Sequence, residues 1–346
     1  MTSRLRASLA FGQTIIVRYV ESTLFAIGVT GSILGILLFS RQKLRSNSCC
    51  TYFLAASVAA LILFLVGMIP QFYALNHKPD PIFNQGFCRG HSYVNQISAM
   101  LYRWFLTSAC IDRCLLTSTN HYLRSFSTVR TARKWIILLS LIWCVLPIHL
   151  LIFLDVNVPG YITCIIRKKG PAIYITSFTL ITGVLSPSLI MLVCSAIIWK
   201  RLRSRQQRRK MTNINTKQSK EETRDAHVII TLFLQVIIYI VVTLPYTCYH
   251  LYLAATVSVT NKSGDRIAIE LLIRFIAELS AYIHPAIAFY VHIFASKTLR
   301  RELMILFCWI FSCARGSHFD GGKNIDLNTL STIAPKSNGK PTATVD

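Results

Sequence analysis

The sequence alternates between long apolar blocks and short polar stretches rich in lysine and arginine. Each apolar block runs for about 20 residues or more, the length that an α-helix needs to cross the hydrocarbon core of a bilayer. Backbone groups inside a bilayer must be hydrogen-bonded within the protein, so apolar blocks of this length predict helices rather than loops. The pattern therefore predicts an all-α membrane protein, a bundle of seven transmembrane helices. We place the spans at approximately 15–39, 51–74, 88–114, 135–155, 172–199, 227–254 and 267–293.

Composition supports a membrane protein and argues against a nucleic-acid-binding one. Hydrophobic residues make up 53% of the 346 residues and charged residues only 15%, whereas a soluble domain carries about 25% charged residues. The net charge of +23 suggests nucleic acid at first sight, but the basic residues lie in the loops between spans. The most basic segment, residues 200–210, directly follows a predicted span. This position favours contact with anionic membrane lipids over nucleic acid.

The basic residues also predict the orientation of the chain. They are concentrated in the loops that follow the first, third, fifth and seventh spans, with ten between residues 200 and 224. The positive-inside rule places these loops in the cytoplasm. We therefore expect the N-terminus outside the cell and the C-terminus in the cytoplasm.

The third span carries the most specific motif. It begins with Cys88 and ends with Asp112-Arg113-Cys114. This segment resembles the third transmembrane helix of rhodopsin-like G-protein-coupled receptors, in which a disulfide-forming cysteine starts the helix and an Asp/Glu-Arg-Tyr motif ends it. Cys114 stands at the tyrosine position. The resemblance implies a disulfide from Cys88 to Cys164, the other cysteine in an outer loop, and it implies that Arg113 contacts a G protein in the active state.

The sixth span holds the second part of the switch that the resemblance implies. Its Leu-Pro-Tyr sequence around Pro245 resembles the family's Cys-Trp-Leu-Pro motif, and Asp225 stands 20 residues earlier, where some family members carry an acid. The resemblance implies an inactive-state latch in which Asp112 and Asp225 hold Arg113, with Pro245 as a hinge. Two alternatives stay open: Asp225 is a solvated charge, or Arg113 is an anchor that reaches toward the lipid interface.

Several positions depart from the family pattern. Leu61, nine residues before Pro70, replaces an aspartate that helps to bind sodium, and Ser32 replaces an asparagine; a sodium site is therefore not expected. Thr243 replaces the tryptophan that precedes Leu-Pro. Arg103 lies where the family has an aliphatic core residue, and a buried arginine needs a partner.

The seventh span allows two alignments with the family's Asn-Pro-x-x-Tyr motif. In the first, His284-Pro285 matches Asn-Pro and Ala288 matches the tyrosine. In the second, Ala288-Phe289 matches Asn-Pro and His292 matches the tyrosine. The second alignment resembles invertebrate neuropeptide receptors of the FMRFamide and thyrotropin-releasing-hormone type, and we favour it.

Candidate ligand-binding residues lie in the outer halves of the third and seventh spans. Amine receptors carry an aspartate where this chain has Asn95, and the seventh span lacks the lysine that opsins use. Glu278 is an acid well inside the seventh span, where ionisable groups are functional candidates. It is expected to pair with a cationic peptide group or, alternatively, with Arg18 or Arg274. The candidate set is Asn95, Gln96, Arg274, Glu278 and Tyr282.

The segments outside the bundle have separate predictions. Asn261 lies in a glycosylation sequon. Residues 296–303 mix basic and apolar residues at helical spacing, which predicts an amphipathic helix on the inner leaflet. Cys308 and Cys313 follow as candidates for palmitoylation, or as unmodified interfacial cysteines. The predicted divisions are an extracellular N-terminus at 1–14, the bundle at 15–293, the interfacial helix at 294–318 and a disordered cytoplasmic tail at 319–346.

Together these features predict a plasma-membrane receptor that binds an extracellular ligand, a peptide, and activates a heterotrimeric G protein. The sequence shows no phosphate-binding loop, metal-spaced cluster or nucleophile–base set, so we expect a non-enzyme without cofactor or metal. The alternatives are a receptor for a non-peptide or chemosensory ligand, a receptor fold that has lost signalling, and a polytopic transporter. A transporter predicts an internal repeat, and none is evident.

Overall fold

The computed structural model describes residues 2–77, 81, 84–156, 164–166, 168–212, 218–256, 259 and 263–314. Within these residues the chain forms eight long helices, numbered α1 to α8, and two short strands. Helices α1 and α5 include a π-helical segment, and α4 includes a 3₁₀ turn. The bounds are Thr2–Ile15, Ile16–Glu21 (π) and Ser22–Phe39 for α1; Ser48–Asn76 for α2; Gln85–Leu116 for α3; Val129–Val145, Leu146–Ile148 (3₁₀) and His149–Phe153 for α4; Lys169–Phe178, Thr179–Leu185 (π) and Ser186–Thr212 for α5; Gln218–Thr256 for α6; Gly264–Ala295 for α7; and Lys297–Ala314 for α8.

Helices α1 to α7 correspond one to one with the seven predicted spans, which confirms the all-α bundle. The fourth helix ends at Phe153, two residues before the predicted limit, because Leu154–Asp155 pair as a strand. Several of them extend beyond the predicted span: α1 begins at Thr2 and α6 at Gln218. Hydrophobicity marks the part of a helix that lies in lipid, whereas its hydrogen-bonded backbone continues into polar sequence. Two single-turn helices, Gln42–Arg45 and His121–Ser125, lie in the loops after α1 and α3.

The helices differ in how apolar they are. By length and composition, five of the described helices are apolar enough to cross a membrane: α1, α2, α4, α5 and α6. Helices α3 and α7 have the required length but carry charged residues within their apolar sequence, such as Arg103 and Glu278. A charged side chain in a membrane helix must find a partner inside the protein. Buried ionisable groups lie on these two helices and also on α1, where Glu21 is 1% exposed.

Helix α3 packs against three other helices, α2, α4 and α5. Helix α2 packs against α1, α3 and α4, helix α5 packs against α3 and α6, and helix α7 packs against α6 and α1. Close packing of α1 on α2 depends on Gly35, because a Cβ atom there would lie 2.6 Å from Ser57 Oγ.

The outer face of α4 exposes Ile137, Leu141 and Val145, spaced one turn apart, as expected for a surface that meets lipid. The chain divides into two compact units, residues 1–300 and 301–346.

Prolines inside helices free backbone carbonyls that neighbouring helices use. A proline has no N–H, so the carbonyl four residues earlier loses its helical donor. Pro70 leaves the carbonyl of Val66, which accepts a hydrogen bond from His91 Nε2 of α3 at 2.9 Å. Pro187 leaves the carbonyl of Gly183, which accepts one from the Tyr239 hydroxyl of α6 at 3.2 Å. These bonds tie α3 to α2 and α6 to α5.

One end of the bundle is tied by the predicted disulfide. Cys88, in the first turn of α3, is bonded to Cys164, with 5.7 Å between their Cα atoms. Cys164 precedes strand β2 (Ile165–Ile166), which pairs antiparallel with strand β1 (Leu154–Asp155) at the end of α4. Both cysteines are buried in an apolar cluster that includes Leu150, Leu154, Val156 and Ile175. The disulfide therefore links α3 to the loop between α4 and α5.

We expect the Cys164→Ser variant to give several-fold less folded protein, because loss of a native disulfide costs typically about 2–4 kcal/mol. The measurement is the yield of monodisperse protein by fluorescence-detected size-exclusion chromatography. Cys144→Ser is the control, since Cys144 is an exposed free cysteine of α4. An equal yield of both variants would contradict the structural role of the bond.

Candidate functional site

Polar side chains gather at two ends of the bundle. We call the end that holds Cys88 and Cys164 the disulfide end, and the opposite end, which holds Asp112 and Arg113, the Arg113 end. Both Asp112 and Arg113 are buried, with 5% and 8% of their surface exposed. Buried charges at these positions need polar partners, and the structure supplies them.

Asp112 is held by two serine hydroxyls. Ser48 Oγ, in the first turn of α2, and Ser127 Oγ, in the segment before α4, each donate to its carboxylate at 2.8 Å. Ser48 and Ser127 also lie 3.3 Å from each other. Asp112 thus joins α3 to the start of α2 and to the following loop.

Arg113 is held by the residue that caps α2. Its Nη2 donates to Asn47 Oδ1 at 2.7 Å, and the same oxygen accepts the backbone N–H of Cys49 at the N-cap of α2. Hydrogen bonds to a charged group contribute about 1.5–3 kcal/mol. Arg113 Nε is buried without a hydrogen-bond partner among the described residues. The guanidinium is therefore anchored at one nitrogen and leaves another unsatisfied.

The predicted latch partner is placed only in part. Asp225 belongs to α6, but its side chain lies outside the described residues, so the Arg113–Asp225 pair stays a prediction. Pro245 lies within α6, which continues through it to Thr256. Thr243 is 2% exposed and donates to the carbonyl of Tyr239 at 2.6 Å.

Near the Arg113 end, Gln235 of α6 and His292 of α7 form a contact that the sequence did not predict. Gln235 Nε2 of α6 lies 2.9 Å from His292 Nε2 of α7, and each residue is 5% exposed. The His292 ring also packs on Phe53 of α2, with 4.2 Å between ring centroids. The signal in the sequence is a single glutamine within an apolar stretch of the sixth span. Such residues bond to neighbouring helices because lipid offers no partner.

The candidate ligand residues are brought together at the disulfide end only in part. Tyr282 donates to Asn95 Oδ1 at 3.1 Å, which joins α7 to α3. Gln96 instead bonds Thr179 of α5 at 3.4 Å. Arg274 Nε donates to Glu278 Oε1 at 2.8 Å, and their side chains are 37% and 43% exposed. Of the two internal partners considered for Glu278, the structure selects Arg274.

The predicted modification sites are described only in part. Cys308 is an exposed free cysteine of α8. The side chain of Cys313 and the residue Asn261 lie outside the described residues, so palmitoylation and glycosylation stay predictions.

Comparison with known protein families fits this arrangement. A family model described as 7 transmembrane receptor (rhodopsin family) matches residues 31–287, more than half of the chain. No curated protein sequence matches it. Members of this family are multi-pass plasma-membrane proteins that bind an extracellular ligand and signal through heterotrimeric G proteins, rather than enzymes. The chain belongs to the rhodopsin family of seven-transmembrane receptors.

Proposed function

We propose that this receptor binds a peptide at the disulfide end of the bundle, with the N-terminus outside the cell. The observation that carries the proposal is the half-exposed ion pair between Arg274 and Glu278. Both charges lie close enough to Tyr246 of α6 to interact with it electrostatically. The pair therefore borders the space between α6 and α7.

An exposed ion pair is easily exchanged for ligand contacts. Exposed pairs contribute only about 0–1 kcal/mol, so a ligand that offers its own cationic or anionic group replaces one partner at small cost. Arg274, Glu278 and Tyr282 are spaced four residues apart, which puts them on one face of α7 over about 12 Å. This row presents a cation, an anion and a hydroxyl to one extended ligand.

The residue at the position of the amine-receptor aspartate also favours a peptide over an amine. Asn95 is neutral and hydrogen-bonded to Tyr282, so the position gives amide and hydroxyl contacts rather than a counter-ion for an ammonium group. Peptides carry backbone amides as well as side-chain charges. The family assignment also favours the receptor over the transporter alternative. A receptor of the FMRFamide or thyrotropin-releasing-hormone type is the subtype that we propose, on the alignment that puts His292 at the tyrosine position.

For signalling, we propose a population shift between two arrangements of α6. In the inactive arrangement Asn47 and Asp225 hold Arg113, and Gln235 bonds His292. Outward movement of α6 about Pro245 breaks the contacts made by Asp225 and Gln235. Asn47 of the α2 N-cap is then the partner that Arg113 exchanges for the G protein. The buried Gln235–His292 contact between α6 and α7 supports this proposal.

We expect Glu278→Gln to weaken the potency of an activating peptide about tenfold or more, the effect of about 1.4 kcal/mol. The measurement is G-protein activation in cells challenged with a neuropeptide library that includes FMRFamide-type peptides. Glu270→Gln is the matched control, because Glu270 forms a similar i,i+4 pair with Arg266 about two turns away in the same helix. Equal potency of both variants, or activation by no peptide and only by non-peptide ligands, would contradict the proposal.

We expect Gln235→Leu to raise basal signalling up to about fivefold, because the lost hydrogen bond contributes about 1 kcal/mol to the inactive arrangement. The measurement is ligand-free G-protein activation at equal surface level. Leu234→Ala is the control, since Leu234 is the adjacent exposed residue. An unchanged basal signal in Gln235→Leu would argue against a role of this contact in the switch.

A further inference from the structure

The middle of α3 carries a buried positive charge. Arg103 is 6% exposed, and an arginine side chain does not lose its proton in proteins. No described carboxylate lies within ion-pair distance of its guanidinium, whereas Arg266 and Arg274 each pair with a glutamate. Burial of an unpaired charge costs several kcal/mol. Arg103 therefore calls for a negative charge that the described side chains do not supply.

The groups around the guanidinium compensate only part of this cost. Its central carbon lies 5.6 Å from the centre of the Tyr246 ring of α6, a contact that contributes about 0.5–2 kcal/mol. On α5, a Cβ atom at Gly183 would lie 3.0 Å from Arg103 Nη1, so the glycine leaves room for the guanidinium. The carbonyl of Gly183 already accepts the Tyr239 hydroxyl. The charge thus lies between α3, α5 and α6 with an aromatic face as its main partner.

A second buried group nearby has a free hydrogen-bonding atom. His284 of α7 is 2% exposed, and its Nδ1 lies 2.8 Å from the Tyr102 hydroxyl. Its Nε2 has no hydrogen-bond partner among the residues that the structure describes. When Nδ1 accepts the Tyr102 proton, Nε2 carries the ring proton and is a donor. Tyr102, the partner of His284 Nδ1, is the residue next to Arg103 in α3. A permanent cation and an unused buried donor together are the chemistry of an anion site.

We propose that the core of the bundle binds one compact anion, such as chloride or a small carboxylate, at Arg103, with the free N–H of His284 as an additional donor. The anion neutralises the charge on α3 where α5 and α6 meet it. Binding therefore stabilises the packing of these three helices. The test of this site reads protein stability rather than the response to a peptide, so its outcome does not depend on the peptide proposal.

The test is thermal unfolding of the purified full chain in lipid nanodiscs. Sodium chloride, sodium acetate and sodium gluconate are compared at equal ionic strength, so that only the size and shape of the anion change. A ligand that binds the folded state raises its stability, and we expect chloride or acetate to raise the Tm of the wild-type chain by at least about 2 °C over gluconate.

Variants of Arg103 decide whether that shift comes from this site. Arg103→Met should lose the anion dependence, Arg103→Lys should keep part of it, and Arg266→Met, which removes an exposed arginine of α7, should keep it in full. If Arg103→Met does not fold, the Arg103→Lys and Arg266→Met chains still give the comparison with wild type. The proposal is overturned if wild-type Tm is the same in all three salts, or if Arg103→Met retains the full shift.

Discussion

A bilayer offers no hydrogen-bonding partners, and this constraint determines how the helices of this receptor are joined. Each polar group within the bundle must find its partner on another helix or on its own backbone. The carbonyls freed by Pro70 and Pro187 accept hydrogen bonds from His91 and Tyr239. The same constraint accounts for the two serine hydroxyls that donate hydrogen bonds to the Asp112 carboxylate. Because these bonds run between helices, they fix which helix faces meet.

Because of the same constraint, this receptor makes hydrogen bonds within and between helices even where residues of the family motifs are replaced. Thr243 stands at the tryptophan position and is bonded to its own helix. On the sixth and seventh helices, Gln235 and His292 supply a polar contact of their own. A hydrogen bond that must break when a helix moves is a switch element wherever it lies along the interface. We propose that signalling in this receptor depends on contacts, such as Gln235–His292, that the family motifs alone do not reveal.

The sequence predicts the spans, the disulfide and the position of Arg113 because each follows from local composition or from residue spacing. Hydrophobic length identifies a span directly, whereas the start of α1 at Thr2 lies in polar sequence that hydrophobicity does not mark. Which side chains hydrogen-bond to each other depends on the distances between helices, and the sequence does not contain these distances. Spacing along the chain groups Gln96 with Asn95, but Gln96 bonds Thr179 on α5. In the same way, nothing in the sequence marks Asn47 as the partner of Arg113.

We propose that this chain activates a G protein through Arg113, and that Arg113 becomes available when α6 moves. The most direct measurement is nucleotide exchange on a purified heterotrimeric G protein, catalysed by the purified receptor in lipid nanodiscs. The account predicts that wild type accelerates exchange over the G protein alone, that Asp225→Ala accelerates it further without ligand, and that Arg113→Ala abolishes it. Equal exchange by wild type and a folded Arg113→Ala chain would contradict the account.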